Sequence, residues 1–447
     1  MQNLDYKQES PTSYRRILRC IFCDEEYEIL PDHEDRKLTN RLQCTNPSCI
    51  SKHKWIYGSL EVDYDYEAIK NRVALTNLFE GEGESMWHYE PLLPVRKFVS
   101  LNEGATLLMY SDRLAGELGI KNTALKYEGT NPTGSFKDRE SSVAVSRAVE
   151  LGHKGVTCVS SGNAAASLAS YAAHAGVSCL VFTPAGASVE KRKLIEYTGA
   201  KLVTVNGIFE DVWELVNRDP DRDLSISNKV YSLFYDCNPA LNPYRSEGDK
   251  TTAYEIFSEL HGVPDWVVIP VGNGSNLAGI WKGFKELFDL GVVNSLPRIL
   301  GVQIYKADPV AEAWRTGKEN SVRIENPVDS IAEGIVAKDS YDAPRALLAL
   351  KESSGMMASV TDVETLDELF ACARREGILV EPTSATVLAA GKEMREAGKI
   401  DKDEKVVFVL TGSGLKTIDE MIKSDVKDRA SELYDAVSSA IAPLLIK

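Results

Sequence analysis

What the 447-residue sequence lacks narrows its class before any motif is considered. It has no run of ~18 consecutive apolar residues, so no segment reads as a membrane-crossing helix. Its opening stretch, MQNLDYKQESPTSYRR, carries no apolar segment ahead of a cleavage site, and a cytoplasmic protein is expected. Positive charge is in deficit. Lys and Arg number 51 against 66 Asp and Glu, and a net charge of -15 repels phosphate backbones and leaves no basic stripe for nucleic acid. There is no low-complexity tract and no short repeat. Cysteine is sparse, eight in all, and Cys158, Cys179, Cys237 and Cys372 are scattered in the apolar or turn settings typical of inert intracellular thiols.

What is present is an ordinary globular composition, 43% apolar and 26% charged. The chain is too long for one core, and at roughly 150 residues per domain two or three are expected. The other four cysteines crowd the first fifty residues. Cys20 and Cys23 form a CxxC knuckle, and Cys44 and Cys49 a looser second pair. Two cysteine pairs on turns joined by a hairpin are the layout of a zinc ribbon, in which four thiolates close a structural site with no open position. A metal-free hairpin packed on the next domain is the alternative reading of the same residues.

From Gly155 onward, short β-branched runs alternate with helical stretches. GVTCVSS reads as a strand, NAAASLASYAAHAG as a helix ending at Gly176, VSCLVFTP as a strand, SVEKRKLIEYTGA as a helix and KLVTV as a strand. This order predicts parallel strands with crossover helices. The same grammar returns at DWVVIPVGNGSNLAGIWKGFKELFDLG, RILGVQI, ETLDELFACARREG and EKVVFVLTGSGLK, so two α/β units are expected, with VNRDPDRDLSISN as a surface loop.

Ligands of such sheets collect where strands end and helices begin. At PVGNGSNLAG an apolar strand breaks into Gly272, Asn273, Gly274, Ser275 and Asn276 before a helix, a cradle for phosphate that is neither a Walker loop nor a dinucleotide fingerprint. Read alone, a plain turn that needs glycines accounts for it equally well. SSGNAAAS places Ser160, Ser161 and Asn163 at a helix start, and LTGSGLK places Thr411 and Ser413 after a buried strand. In isolation these are a cap and a turn. They gain meaning beside Lys137 in EGTNPTGSFKDRES, because a lysine amine held near an apolar pocket adds to carbonyls, that of pyridoxal 5'-phosphate above all. Such a site needs the lysine, a phosphate cradle, and polar groups for the ring oxygen and the ring nitrogen.

NPTGSFKDR, SSGNAAASLASYAAHAG, NPYRSEGDKTTAYEI, GNGSN, GVQ, EPTSAT and TGSGLK together resemble the threonine synthase family, within the tryptophan synthase β-type, fold type II, pyridoxal-phosphate enzymes. The resemblance spans roughly Leu93 to Lys416, and the cysteine-bearing start is also similar to that of many members. It implies that Lys137 forms the Schiff base, that Asn163 meets the ring oxygen, that Gly272, Asn273, Gly274, Ser275 and Asn276 hold the cofactor phosphate, and that Thr411 meets the pyridine nitrogen. It further implies that Ser160, Ser161 and Arg245 bind substrate, with Arg245 clasping its phosphate, and that O-phospho-L-homoserine and water become L-threonine and phosphate. Asp138 and Arg139 are expected to brace the lysine's turn by ion pairing. The implied fold is two parallel-sheet α/β domains behind a zinc-ribbon-like segment at 15–62: a large discontinuous domain at 63–141 and 246–447, and a small one at 142–245. A homodimer is usual in the family.

The sequence departs from the family pattern at Ala240 and Ala164, where hydroxyls are frequent, at Glu140, where glycine is usual, and at Gly104–Leu108, which lacks a proline. A solvent-facing Glu140 is the expectation. These departures bear on the substrate. The competing readings are β-replacement or elimination on another amino acid such as O-phosphoserine, a threonine or serine dehydratase, and a silent member that only binds the cofactor or a partner. Arg245 within NPYRSEGDKT argues for phosphate in the substrate and against the dehydratase.

Overall fold

The structure is a computed structural model that describes residues 14–28, 44–53, 60–81, 83–187, 189–207, 209–217, 230, 232–239 and 241–418. Its strands, in chain order, are β1 (Arg15–Cys20), β2 (Glu26–Glu28), β3 (Leu60–Tyr64), β4 (Leu107–Tyr110), β5 (Asn122–Tyr127), β6 (Gly155–Val159), β7 (Ser178–Pro184), β8 (Lys201–Val205), β9 (Tyr235–Asp236), β10 (Trp266–Pro270), β11 (Arg298–Ile304), β12 (Met356–Val360) and β13 (Lys405–Leu410). They form three sheets, ordered β2-β1-β3, β12-β11-β10-β13-β5-β4 and β8-β7-β6-β9. The four-stranded sheet is wholly parallel. The six-stranded sheet is parallel except at its edge, where β4 runs antiparallel to β5. The α/β alternation expected from the sequence is therefore present, and the antiparallel edge is an addition to it. Of the loop expected at 216–228, the part beyond Asn217 lies outside the described residues.

The central strands β6, β10 and β13 are buried nearly throughout, as their continuous apolar runs require of parallel strands covered on both faces. The Ala-rich helix spans Asn163–Ala175 and stops at Gly176, whose left-handed backbone (φ 68°) is the conformation a helix-ending glycine adopts readily. The segment Met86–Leu92 packs inward, burying Met86, Trp87, Tyr89 and Leu92, and Trp87 Nε1 donates to Glu103 Oε1 at 2.6 Å.

The N-terminal three-stranded sheet is tied to the body by polar contacts. Tyr64 donates to Glu247 at 2.7 Å, Arg345 pairs with Glu61 at 3.1 Å, and Lys282 Nζ donates to the Val62 carbonyl at 2.5 Å.

One ionic cluster fixes the start of the long helix Lys137–Glu150. Arg139 is fully buried and donates to Glu128 (2.8 and 2.9 Å), Glu255 (2.5 and 2.7 Å), Thr251 (2.8 Å) and Thr106 (3.0 Å). Burial alone would push the Glu255 carboxyl up, but Arg139 and Lys126 outweigh it and hold the group well below the ordinary carboxylate range. A carboxyl so lowered contributes stability that is fully present above its unfolded pKa and is lost as pH falls toward the folded value. Arg139→Met should therefore cost about 3–5 kcal/mol near neutral pH, because two buried carboxylates lose their counter-charge. The difference from the parent should narrow as urea denaturation is repeated below a pH of about 4.

Candidate active site

The turn Asn131–Phe136 is stitched to the end of β13. Phe136 N donates to the Thr411 carbonyl at 3.1 Å, Ser413 N donates to the Gly134 carbonyl at 2.9 Å, and Ser135 and Gly412 form an isolated bridge. Gly134 takes a left-handed backbone (φ 79°) there, which a residue with a side chain rarely adopts. Asp138 braces the same turn by accepting from Thr133 N (2.6 Å), Thr133 Oγ1 (2.5 Å) and Ser167 Oγ (2.6 Å). The bracing expected of Asp138 thus works through hydrogen bonds, and the ion pairing belongs to Arg139.

Lys137 opens into a cavity of about 530 Å³. The same cavity is lined by Ser160, Ser161, Asn163, Thr411 and all five residues of Gly272–Asn276. These side chains come from four separate strand-to-helix junctions on two sheets. The cavity holds two lysines, Lys137 and Lys416, and no arginine among the described residues.

Three neighbours went unassigned in the sequence. Asn163 Nδ2 donates to both Glu381 oxygens (3.0 and 2.9 Å), and its Oδ1 accepts from Lys416 Nζ at 2.7 Å. Ser384 Oγ lies 3.2 Å from Thr411 Oγ1 and accepts from Gly412 N at 2.9 Å. Glu381 and Ser384 belong to EPTSAT and Lys416 to TGSGLK, so the motifs held them. No spacing rule says that the two motifs meet.

One expectation, that of a solvent-facing Glu140, is corrected, and Arg245 is found away from the other site residues. Arg245 does not line the cavity. It is 1% exposed, donates through Nε to Glu140 Oε2 at 2.9 Å and through Nη1 to the Cys237 carbonyl at 2.8 Å, and pairs again with Glu140 through Nη2. Glu140 is not solvent-facing; it is fully buried and pairs with both Arg245 and Lys137. A buried carboxylate one helical turn from the lysine captures the nearest guanidinium, since leaving it unpaired is costly. Ala164 lines the cavity, and Ala240 lies outside the described residues.

At the N-terminal sheet, the Cys20, Cys23, Cys44 and Cys49 sulfurs all lie within 4.8 Å of one another. Cys20 and Cys49 are 3.9 Å apart, and Cys23 and Cys44 are 3.6 Å apart. Thiolates about 2.3 Å from a tetrahedral zinc are separated by about 3.8 Å, so the donor set fits that ion. Burial pushes the Cys20 thiol up to about 11 and Cys49 higher still, so these two would give up protons at neutral pH only to a cation.

Comparison with known proteins places this geometry. A family model described as pyridoxal-phosphate dependent enzyme matches residues 99–412. Solved structures of the same fold include maize serine racemase (21% identical, TM-score 0.58, covering 72% of this chain and 92% of that one). Another is an L-serine ammonia-lyase from Rhizomucor miehei (20% identical, TM-score 0.58, covering 71% and 98%). Fold and site together define a pyridoxal-phosphate enzyme of fold type II. Threonine synthase of Methanocaldococcus jannaschii is 42% identical over 414 residues, 91% of this chain and 95% of that protein. That of Methanosarcina acetivorans is 40% identical over 402 residues, 89% and 92%. The chain belongs to the threonine synthase family.

The residues fit the cofactor on grounds of their own. Asn276 Nδ2 is buried in the cradle with no hydrogen-bond partner among the described residues, a donor left for an incoming acceptor. The first turn of the helix Ser275–Asp289 adds backbone N–H groups that have no partner within the helix. Gly274 has φ 108°, and a Cβ there would sit 2.9 Å from the Asp342 carbonyl oxygen and 3.0 Å from Ala346 Cβ. Gly274→Ala should strain or displace the cradle by about 1–3 kcal/mol. Affinity for pyridoxal phosphate, followed by absorbance titration of the apoenzyme, should fall about tenfold or more.

Proposed function

We propose that the protein converts O-phospho-L-homoserine and water to L-threonine and phosphate. The observation that carries this reading is the convergence of Lys137, the Gly272–Asn276 turn, Asn163 and Thr411 on one cavity. Lys137 would hold the cofactor, Gly272, Asn273, Gly274, Ser275 and Asn276 its phosphate, and Asn163 its ring oxygen. When bound, pyridoxal phosphate supplies an electron sink that makes the substrate's α and β protons removable.

Lys137 takes those protons and returns one, phosphate leaves from the γ carbon, and water adds at the β carbon. Thr411, whose hydroxyl lies 3.2 Å from that of Ser384, would meet the ring nitrogen of the bound cofactor, and a hydroxyl would not compel that nitrogen to carry a proton. Ser160 and Ser161 hold the polar end of the substrate. With Arg245 engaged elsewhere, Lys416 supplies positive charge to the substrate phosphate. The helix starts at Asn163 and Ser275 reinforce it.

The cysteine cluster is read as a structural zinc site, supported by its tetrahedral spacing. We place the protein in the cytoplasm, in keeping with its eight free cysteines and with the lack, among the described residues, of any helix long and apolar enough to cross a membrane. A homodimer, with the large domain at 63–141 and 246–447 and the small one at 142–245, completes the reading.

A substrate panel tests the function. Phosphate and threonine should appear together from O-phosphohomoserine, with neither turnover of O-phosphoserine nor loss of ammonia from threonine at a comparable rate. Turnover of O-phosphoserine alone would transfer the assignment to β-replacement. Purified protein should contain one zinc per chain by atomic emission, and Cys49→Ser should lower both zinc content and melting temperature. Light scattering reports the oligomer.

A further inference from the structure

Glu140 lies one helical turn from Lys137, and its two oxygens have separate partners. Oε1 accepts from Lys137 Nζ at 2.6 Å. Oε2 accepts from Arg245 Nε at 2.9 Å and again from Nη2. The carboxylate is fully buried, whereas the Lys137 side chain is 17% exposed and lines the cavity. Arg245 thus holds Glu140 whatever Lys137 does, because its contacts are made to the other oxygen and to the Cys237 carbonyl. Lys137 alone of the three has a second place to go.

We propose that Glu140 is a positioning residue for Lys137: its Oε1 receives the lysine's amine whenever that amine is not bonded to the cofactor, and Arg245 serves as the carboxylate's counter-charge instead of clasping substrate. The inference rests on the assignment of Lys137 as the lysine that holds the cofactor. During turnover the proton taken from substrate carbon arrives on this amine, and the resulting ammonium has a fixed acceptor within hydrogen-bond reach. The amine is thereby kept at one distance and orientation between its two proton transfers.

The charged neighbourhood supports a carboxylate at this point. On the helix Pro243–Asp249, Arg245 faces Glu140 directly, and Asp249, within reach of its charge, has both carboxyl oxygens buried and without a hydrogen-bond partner among the described residues. Burial, and then the charge of Glu140, push Asp249 well above the ordinary range. Asp342, at the start of the helix Ala343–Glu352 behind the phosphate cradle, is raised by burial to about 7, with Arg345 opposing. Arg139 lies on the lysine's own helix and is committed to Glu128 and Glu255. Burial would raise Glu140 too, but Arg245 and Lys137 hold it below the usual carboxylate range, the reverse of the shift at Asp249 and Asp342.

The test uses the cofactor-loaded enzyme and its long-wavelength absorbance as a function of pH. In Glu140→Gln the midpoint of that titration should fall by about one pH unit or more, because the carboxylate that Arg245 keeps one helical turn away, with the amine free or bonded, no longer favours the protonated nitrogen. The value of kcat should fall about tenfold or more with KM changed little, the pattern of an interaction used in the proton transfers. Glu140→Asp should recover part of both. If a lone buried guanidinium keeps the single variant from folding, the double variant Glu140→Gln with Arg245→Met removes it, and the midpoint should still fall. An unchanged midpoint in whichever variant folds overturns the proposal, as does a rise in KM with kcat intact, which would return Arg245 to the substrate. Lys137→Ala separates this from the underlying assignment: if that variant keeps a borohydride-sensitive colour, the lysine itself was wrongly identified, and if it loses the colour while Glu140→Gln titrates like the parent, only the present inference fails.

Discussion

A buried guanidinium gripped by two carboxylates sets the position of everything the site needs. Arg139 joins Glu128, at the end of β5, to Glu255 on the helix Thr251–Leu260, and so ties a strand of the large sheet to the first turn of the helix that begins with Lys137. Such a cluster adds little net stability compared with an apolar replacement, since three desolvated charges oppose their own attraction. What it adds is placement. A guanidinium presents its donors in a rigid fork, and six contacts from one side chain leave the helix start almost no freedom. The Lys-Asp-Arg run has a physical reading here: Asp138 ties down the turn before Lys137, Arg139 the core beneath it, and the Lys137 side chain is left to line the cavity.

Much of this was legible in the letters, and the reason is physical. Period and punctuation reveal parallel strands because continuous β-branched runs and glycine breaks are what buried strands and crossover helices require, and β6 to β8, β10, β11 and β13 fall where those runs stand. The cradle glycines, Asn163, Thr411 and Lys137 were legible because motifs sit at strand ends, where the fold gathers ligands. Edge strand β4 was not. Its residues are only partly buried and carry no clean alternation.

The side-chain facing of Glu140 and Arg245 was also out of reach, since it is a tertiary fact joining positions 105 residues apart. A glutamate in the first turn of a helix reads as a dipole-favoured surface charge. It becomes something else only when the helix proves to be buried on nearly every face, as Lys137–Glu150 does. The pairing of Arg245 with Glu140 was hidden for the same reason, because a guanidinium free to clasp a phosphate and one held by a carboxylate are identical in sequence.

The cavity sets a further problem, since an acidic protein must admit a doubly charged anion. Its walls include Glu210, Glu333, Asp339 and Glu381, which would repel a phosphate if they faced it bare. Three of the four have named donors in place. Glu210 accepts from Lys338 N at 3.0 Å, Asp339 from Ser340 N at 2.9 Å, and Glu381 from the Asn163 amide. Lone pairs spent on such donors direct less negative potential into the cavity, while the helix starts at Asn163 and Ser275 direct positive ends toward it. The carboxylates therefore act as struts for the loops, and the local field is set by two lysines and two helix termini. That separation of roles lets a chain with a net charge of -15 build an anion site without spending an exposed arginine on it.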